Sequence, residues 1–361
     1  MQKTITAKTL HLFSSPVLLH YTLPVLMLCL IIGTIAQKYI GLYEATRIFF
    51  ASPFLWLGPV PLPGLPLILA LIALNLTGKL LFKSPWTIRS SGIIITHIGA
   101  LMLLVGGLLT AMFSTEGYVE LVPQKKTTIV SDYHAREFVI ENQNGESALT
   151  LDHNALMIGQ TIPTPFSITI VDLCRHCKIE KRTDADETFH GMAQHMKLIP
   201  ATLKTINEEN MGGVTFRVDG VSADSNGTYV VLEDIPQNPE FKIGDQTYRV
   251  ALRKSRRNLP FSIELLDFKR EVYAGTDKPK SYESTVRIHD NGMEWQSVIS
   301  MNAPLRYKGY TFFQSSFIAT PDGDISVLAA VWNVGRTFPY ISSLTMGFGI
   351  LLHLILRSRR W

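Results

Sequence analysis

Residues 91–113 read SGIIITHIGALMLLVGGLLTAMF, an apolar run with one histidine, His97, and glycines at 92, 99, 106 and 107. The run lies in an uncharged stretch of 26 residues, 90–115, and roughly 20 apolar residues of helix suffice to cross a hydrocarbon core. Three other uncharged stretches are long enough to do the same: 9–37 (29 residues), 48–78 (31) and 337–356 (20). Between the third and fourth lies 116–336, a polar segment of 221 residues, large enough to bury a core of its own. The whole chain of 361 residues is 46% hydrophobic and 18% charged, with a net charge of +4 and a mean hydropathy of +0.16. Those values exclude a disordered chain and a nucleic-acid binder.

The expected fold class is therefore a membrane protein with four transmembrane α-helices, three N-terminal and one C-terminal, plus a large extracytoplasmic β-rich domain. Residues 1–115 form the N-terminal membrane domain, with helices at about 16–36, 66–82 and 91–113. Residues 116–336 form the outer domain, and 337–361 hold the last helix, about 338–356, and a basic tail. Lys and Arg flanking short loops stay cytoplasmic. Lys3, Lys8, Lys79, Lys83, Arg89, Arg357, Arg359 and Arg360 mark the termini and the turn between helices two and three as inside. Segment 116–336 instead carries 24 Lys+Arg against 29 Asp+Glu, as an outer domain would. The first span has no small-residue cleavage site and runs on into Gln37-Lys38-Tyr39, so it reads as a retained helix and not a signal peptide.

Ile40, Tyr43, Arg47 and Phe50 fall at helical spacing, which predicts an amphipathic helix on the outer surface over 39–50. The Pro/Gly cluster 53–66 then breaks the chain. In helix four, Ser343 with Gly347 and Thr345 with Gly349 offer small residues four apart for close helix contact. In the outer domain, Phe166–Leu173, Thr228–Ile235, Thr247–Arg253, Phe261–Phe268, Ser284–His289, Thr311–Phe317 and Ile325–Val331 read as strands, being rich in β-branched and aromatic residues. Asn226-Gly227, Asp290-Asn291-Gly292 and Asp322-Gly323 are turn signals between them. Stretch 174–212 is polar and is expected to hold a helix with loops.

Three histidines fall within the spans, where ionisable side chains are functional candidates. His20 and His353 lie near the inner ends and fit an interfacial role as well as a secondary place near a cofactor. His97 is roughly 12 Å along helix three from Arg89, too deep for easy contact with headgroups. A haem or metal ligand and a satisfied structural histidine stand level for it. Cys174-Arg-His-Cys177, with His190 and His195 beyond, has the spacing of a two-Cys, two-His zinc site. An extracytoplasmic CxxC without finger-core residues points first to a disulfide, then to a redox pair, and last to a metal. It is not a covalent haem site, because Lys178 follows Cys177.

Asn302-x-Pro304-Leu-x-Tyr307-x-Gly309-Tyr-x-Phe-Phe-Gln314-Ser-Ser resembles the signature of the ResB/CcsB family of cytochrome c maturation proteins. Gly33-Thr34-x-x-Gln37-x-x-Ile40-Gly41-Leu42-Tyr43, His97-x-Gly99 with Gly106-Gly107, Leu259-Pro260-Phe261, Gly275-Thr276-Asp277-x-Pro279 and Gly335-Arg336-x-x-Pro339-Tyr340 are similar to it too. The resemblance implies a bacterial inner-membrane subunit of a complex that exports haem b and presents it to apocytochrome c for attachment to CxxCH. It also implies a CcsA/ResC-type partner that carries the tryptophan-rich haem-handling segment. Here Trp56, Trp86, Trp295, Trp332 and Trp361 are scattered, which suits the non-catalytic subunit of such a haem lyase. By position His97 matches the family's intramembrane histidine, which is expected to ligate haem with one from the partner. Asn302, Pro304, Tyr307, Gly309 and Gln314 are the expected partner interface, being a Pro/Gly-bounded turn rich in aromatics. Membrane lipid and apocytochrome c complete the expected contacts, with no nucleic acid among them. Two other readings stand beside this one: a haem b electron-transfer subunit using His97 with His20 or His353, and a tethered thiol oxidoreductase using Cys174 and Cys177.

Overall fold

The computed structural model describes residues 14–358 except 165, 185, 234, 277, 278 and 322. Lys3, Lys8, Arg359, Arg360, Trp361, Asp277 and the Asp322 turn signal therefore lie outside the described residues. The chain divides into two compact units, one made of residues 1–115 and 332–361 and one of 116–331. That cut falls about five residues earlier than the expected boundary at 336, because the chain leaves its last strand at Trp332.

Among its described residues the first unit holds four helices long and apolar enough to cross a membrane: α1 (Pro16–Ile40), α2 (Leu65–Phe82), α3 (Ser91–Phe113) and α4 (Phe338–Ser358). Large apolar side chains such as Met27, Leu108, Leu344 and Phe348 are exposed along them, as suits surfaces solvated by hydrocarbon. Pro16 occupies the first turn of α1, where its missing N–H costs nothing, and the Ser15 hydroxyl accepts the Val17 N–H at 3.3 Å. Asn75, buried in α2, donates its side-chain amide to the Ser15 carbonyl at 2.8 Å, a polar tie between two apolar helices.

The stretch 39–50 is not one amphipathic helix. Gly41 breaks it with φ 82°, a short helix (Leu42–Ala45) and a π-helical turn (Thr46–Ala51) follow, and the chain folds back on α1. A Cβ at Gly33 would lie 3.0 Å from that of Phe49, so the glycine makes room for the return. The Pro/Gly cluster is likewise more ordered than expected, forming a hairpin of β1 (Phe54–Leu57) and β2 (Val60–Pro63).

The second unit is β-rich, as its alternating sequence predicts. A ten-stranded sheet contains β3 (Thr115–Leu121), β4 (Lys126–Glu141), β5 (Ser147–Asp152), β12 (Glu240–Ile243), β13 (Gln246–Val272), β14 (Pro279–Asp290), β15 (Met293–Ser300), β16 (Leu305–Tyr307), β17 (Tyr310–Ile318) and β18 (Ile325–Trp332). A four-stranded sheet contains β6 (Thr161–Pro163), β7 (Ser167–Cys174), β10 (Gly213–Asp219) and β11 (Gly227–Leu232). The two expected strands 247–253 and 261–268 are parts of the single long β13, which shifts register against β4 between Asn258 and Ile263. One core gathers Phe138, Ile168, Phe216 and Phe241. A second gathers Val119, Phe261, Ile263, Phe312 and Leu328. The expected helix within 174–212 is absent among the described residues. In its place stand a small sheet of β8 (Cys177–Lys181) and β9 (Met196–Pro200) and two 3-10 turns.

Candidate functional site

Helices α3 and α4 pack antiparallel through small residues. Gly92 faces Gly349 and His353, Gly99 faces Ser342 and Met346, and Gly106 faces Phe338. Of the expected four-spaced pairs on α4, the first is not used, since Ser343 is exposed and Gly347 has nothing within 4 Å, whereas Gly349 of the second is buried against Thr96 and Gly92, and Ser342 is buried beside Gly99. Just ahead of α4, Gly335 fits against Thr110 of α3, and the Thr110 hydroxyl bonds Asn333 at 3.0 Å.

Beside this contact a cleft of about 190 Å³ opens, lined by Ile93, Thr96, His97, Ile350, His353 and Leu354. Its walls are apolar apart from Thr96 and the two imidazoles. The Thr96 hydroxyl is committed, donating to the Gly92 carbonyl at 2.9 Å. The Nδ1 atoms of His97 and His353 are buried and make no well-formed hydrogen bond, although His97 feels the Ile93 carbonyl one turn back on its own helix. Unpaired polar atoms at this depth are costly. His97 and His353 thus come together, whereas His20 is exposed on α1 beside Tyr21 and is not part of the cleft. As a groove on a helix pair, the cleft is too small to enclose a macrocycle, but the His97 imidazole and the apolar walls suit one edge of a haem site.

In the second unit Cys174 ends β7, Cys177 opens β8, and the two are joined as a disulfide. Both sulfurs are buried among Ala193, Leu198, Val230 and Leu232. A Cβ at Gly213 would stand 2.8 Å from the Cys177 sulfur, so only glycine fits beneath the bond. His176, between the cysteines, accepts the Met211 N–H on Nδ1 at 3.1 Å. Burial first, and then the charges of Lys204, Lys178 and Arg136, hold its pKa below the usual imidazole value. His190 stacks on Tyr229 and bonds the Asn226 carbonyl, and His195 is exposed. Among the described residues no group of three or more His, Cys, Asp or Glu is arranged to hold a metal ion. The double variant Cys174→Ser, Cys177→Ser should lose about 2 kcal/mol of stability, the loop-closure entropy of so short a loop. The thermal midpoint of the wild type should then fall by a matching amount on adding a thiol reductant. An unchanged midpoint in both experiments would refute this.

The run Asn302–Phe317 forms a hairpin of β16 and β17, with Lys308 (φ 45°) and Gly309 (φ 83°) as its two turn residues. Its residues face in different directions. Tyr307 packs edge-on against Phe261 and Trp295 and donates its hydroxyl to Asp290. Lys308 pairs with the same carboxylate at 2.6 Å. Gln314 is buried and bonds Ser284 at 2.6 Å and Ser326. The expectation that Tyr307 and Gln314 meet a partner is therefore corrected for Gln314, whose amide is consumed inside the unit, and Tyr307 is largely spent on its neighbours. Asn302, Gly309 and Phe313 are exposed, and Pro304 is half-buried. The sequence reading also missed a buried charge cluster, Arg136, Glu233 and Lys254. Its members stand far apart in the chain and share no periodicity.

The sequence model of the ResB-like family matches residues 220–332. Over 99 residues the chain is 32% identical to Protein NrfI of Wolinella succinogenes, a stretch that makes up 27% of this chain and 11% of that protein. The matched part thus spans about a tenth of the relative's length. The motifs at Leu259–Phe261 and Asn302–Ser316 both lie inside the family match, where they build the second core and the hairpin packed on it. Over residues 220–332 the chain is thus similar to the ResB-like family, the family its motifs resemble.

Proposed function

We propose that this protein serves cytochrome c biogenesis as a membrane-anchored, non-catalytic subunit that holds haem b at His97 and helps present it to apocytochrome c. The ResB-like segment supports the pathway, and the four apolar helices support the anchor. The single observation that carries the cofactor is the buried Nδ1 of His97, which makes no well-formed hydrogen bond, in an apolar cleft. His97 would hold the iron through its other ring nitrogen, Nε2, and bound haem would supply the vinyl groups to which client cysteines are joined. In this reading the termini are cytoplasmic and the β-rich unit periplasmic at the bacterial inner membrane, following the basic residues around Lys79, Lys83, Arg89 and Arg357. A CcsA/ResC-type membrane protein is the expected partner.

His97→Ala should lower the haem that copurifies with the full chain and partner by about tenfold or more, with partial recovery in added imidazole. The measurement is haem per protein by pyridine haemochrome, together with the optical spectrum. An unchanged haem content and spectrum would overturn the assignment of His97.

A further inference from the structure

We infer that the hairpin of β1 and β2 is a lipid-binding element, seated where headgroups meet acyl chains in the leaflet that α1 leaves and α2 enters. From Pro53 to Leu74 the only polar side-chain group is the Trp56 indole N–H. A hairpin bathed in water on one side shows that side a polar face, but here both faces are apolar. Phe54 and Trp56 share one face, Leu57, Val60 and Leu62 share the other, and all five are exposed. Contiguous apolar surface of this kind marks a binding face.

The base of the hairpin lies at membrane depth. The return segment brings Phe49 back along α1, where its carbonyl oxygen stands 3.8 Å from the Cys29 sulfur and its Cβ would be 3.0 Å from a Cβ at Gly33. Those levels are roughly 10–16 Å short of the end of α1. The backbone of Leu65, where α2 opens, reaches the same Cys29 thiol. The Gly64 N–H closes the base on the Pro53 carbonyl at 2.8 Å. Strands of four residues extend only about 13 Å from that base, so even a hairpin aimed straight outward ends about level with the end of α1.

The chemistry of the edge decides between lipid and protein as the covering group. The bond from Gly64 to Pro53 fixes the alternation of the ladder, in which Leu55 bonds Leu62 and Leu57 bonds Val60. Pro61 and Pro63 then hold the positions whose amides would point away from β1. Both are proline, so the outer edge of β2 has no N–H donor. An added protein strand needs donors and acceptors in turn and cannot pair there. Acyl chains ask for no donor, and the carbonyls left on that edge need only the water of the headgroup layer, which places the hairpin at that boundary and no deeper. An indole such as that of Trp56 is a usual anchor at the same level.

The test uses the full chain in nanodiscs of phosphatidylethanolamine and phosphatidylglycerol, one copy per disc, and reads Trp56 as the difference in fluorescence between wild type and Trp56→Phe. Phosphatidylcholine brominated high on its acyl chains is the shallow probe, the same lipid brominated near the methyl ends is the deep one, and iodide is the aqueous one. The Trp56 emission should be blue-shifted, lose most of its intensity to the shallow probe and be little touched by iodide. Leu57→Trp in the Trp56→Phe background should regain a shallow-quenched signal from the other face. Unchanged elution and circular dichroism show that both variants are folded. Quenching by iodide in place of lipid would put the hairpin in water, and quenching by no probe would mean that protein covers it. Stronger quenching by the deep probe would seat it in the hydrocarbon, and each of these three results would overturn the inference.

Discussion

Glu233→Ala is expected to cost the β-rich unit about 3–5 kcal/mol, the range for removing one partner from a buried ionic cluster. Glu233 is 3% exposed. One of its oxygens meets Lys254 Nζ at 2.7 Å, and the other accepts from Arg136 Nε and from the Gly212 N–H at 3.2 Å. Arg136 also bonds the carbonyls of His134 and Asn210, and Lys254 bonds that of Tyr133. A single carboxylate thus answers two buried cations, and without it both stand uncompensated. Burial pushes the Glu233 carboxyl up, but the hydrogen bonds and charges of Arg136 and Lys254 outweigh it and hold the pKa below the usual carboxylate value. The unfolded carboxylate then takes up its proton first on acidification. The contribution of Glu233 is complete above the unfolded pKa and is lost as pH falls through the folded one.

His153 adds a second, earlier acid limb. It is 1% exposed with an unpartnered Nε2, and burial, the largest influence on it, holds its pKa below the usual imidazole value. The unfolded ring therefore binds a proton that the folded ring refuses, and stability declines as pH drops below the ordinary imidazole pKa. Urea midpoints of the full chain, followed by tryptophan fluorescence from near neutrality down to pH 4, should fall in these two stages. His153→Phe should shrink the upper stage, to which His134 and His176 also contribute, and Glu233→Ala should lower the whole curve and flatten its acid end. A Glu233→Ala midpoint within about 1 kcal/mol of wild type at pH 7 would contradict the buried-cluster account.

What the sequence disclosed and what it hid divide along the range of the interactions. The four helices follow from the lack of charge over each span, a property local to the segment, and their observed bounds differ from the expected ones by a few residues. Asn291-Gly292 is legible as a two-residue turn because both residues readily adopt positive φ, and both do so, at 47° and 82°. Lys308 gives no such sign. It takes φ 45° in a hairpin held from elsewhere, where its ammonium pairs with Asp290, eighteen residues earlier. Gln314 looked like an interface residue because its run is aromatic and turn-bounded. Its burial depends on Ser284 and Ser326, which only the folded sheet brings to it. His97 stood out by depth, but its neighbour His353 is 256 positions away in sequence, and only the antiparallel packing of α3 on α4 joins them.

That packing carries the remaining large effect, because the glycines and not the histidines set the distance between the helices. Gly92, Gly99 and Gly106 recur every seven residues on α3, and Gly335, Ser342 and Gly349 recur every seven at and within α4. This is the period that keeps one face of each helix on its neighbour. Hydrocarbon solvates both helices as well as they solvate each other, so close packing is what favours the pair. A Cβ at Gly92 would fall 2.6 Å from the His353 Cα and 2.7 Å from the Gly349 carbonyl oxygen, and both are backbone atoms that no rotamer change can move. Gly92→Leu should therefore force α3 and α4 apart, at a cost of about 1–3 kcal/mol from overpacking alone, and disturb the cleft that His97 lines. The haem that copurifies with the full chain and its partner should then fall toward the level of His97→Ala, although His97 remains. Gly107 supplies the control, since it adjoins Gly106 yet has nothing within 4 Å of its added Cβ. Gly107→Leu should leave the copurifying haem and the thermal midpoint as they are. If Gly92→Leu kept its haem like the wild type, or if Gly107→Leu behaved like Gly92→Leu, helix approach through the seven-residue stripe would not be what builds the site.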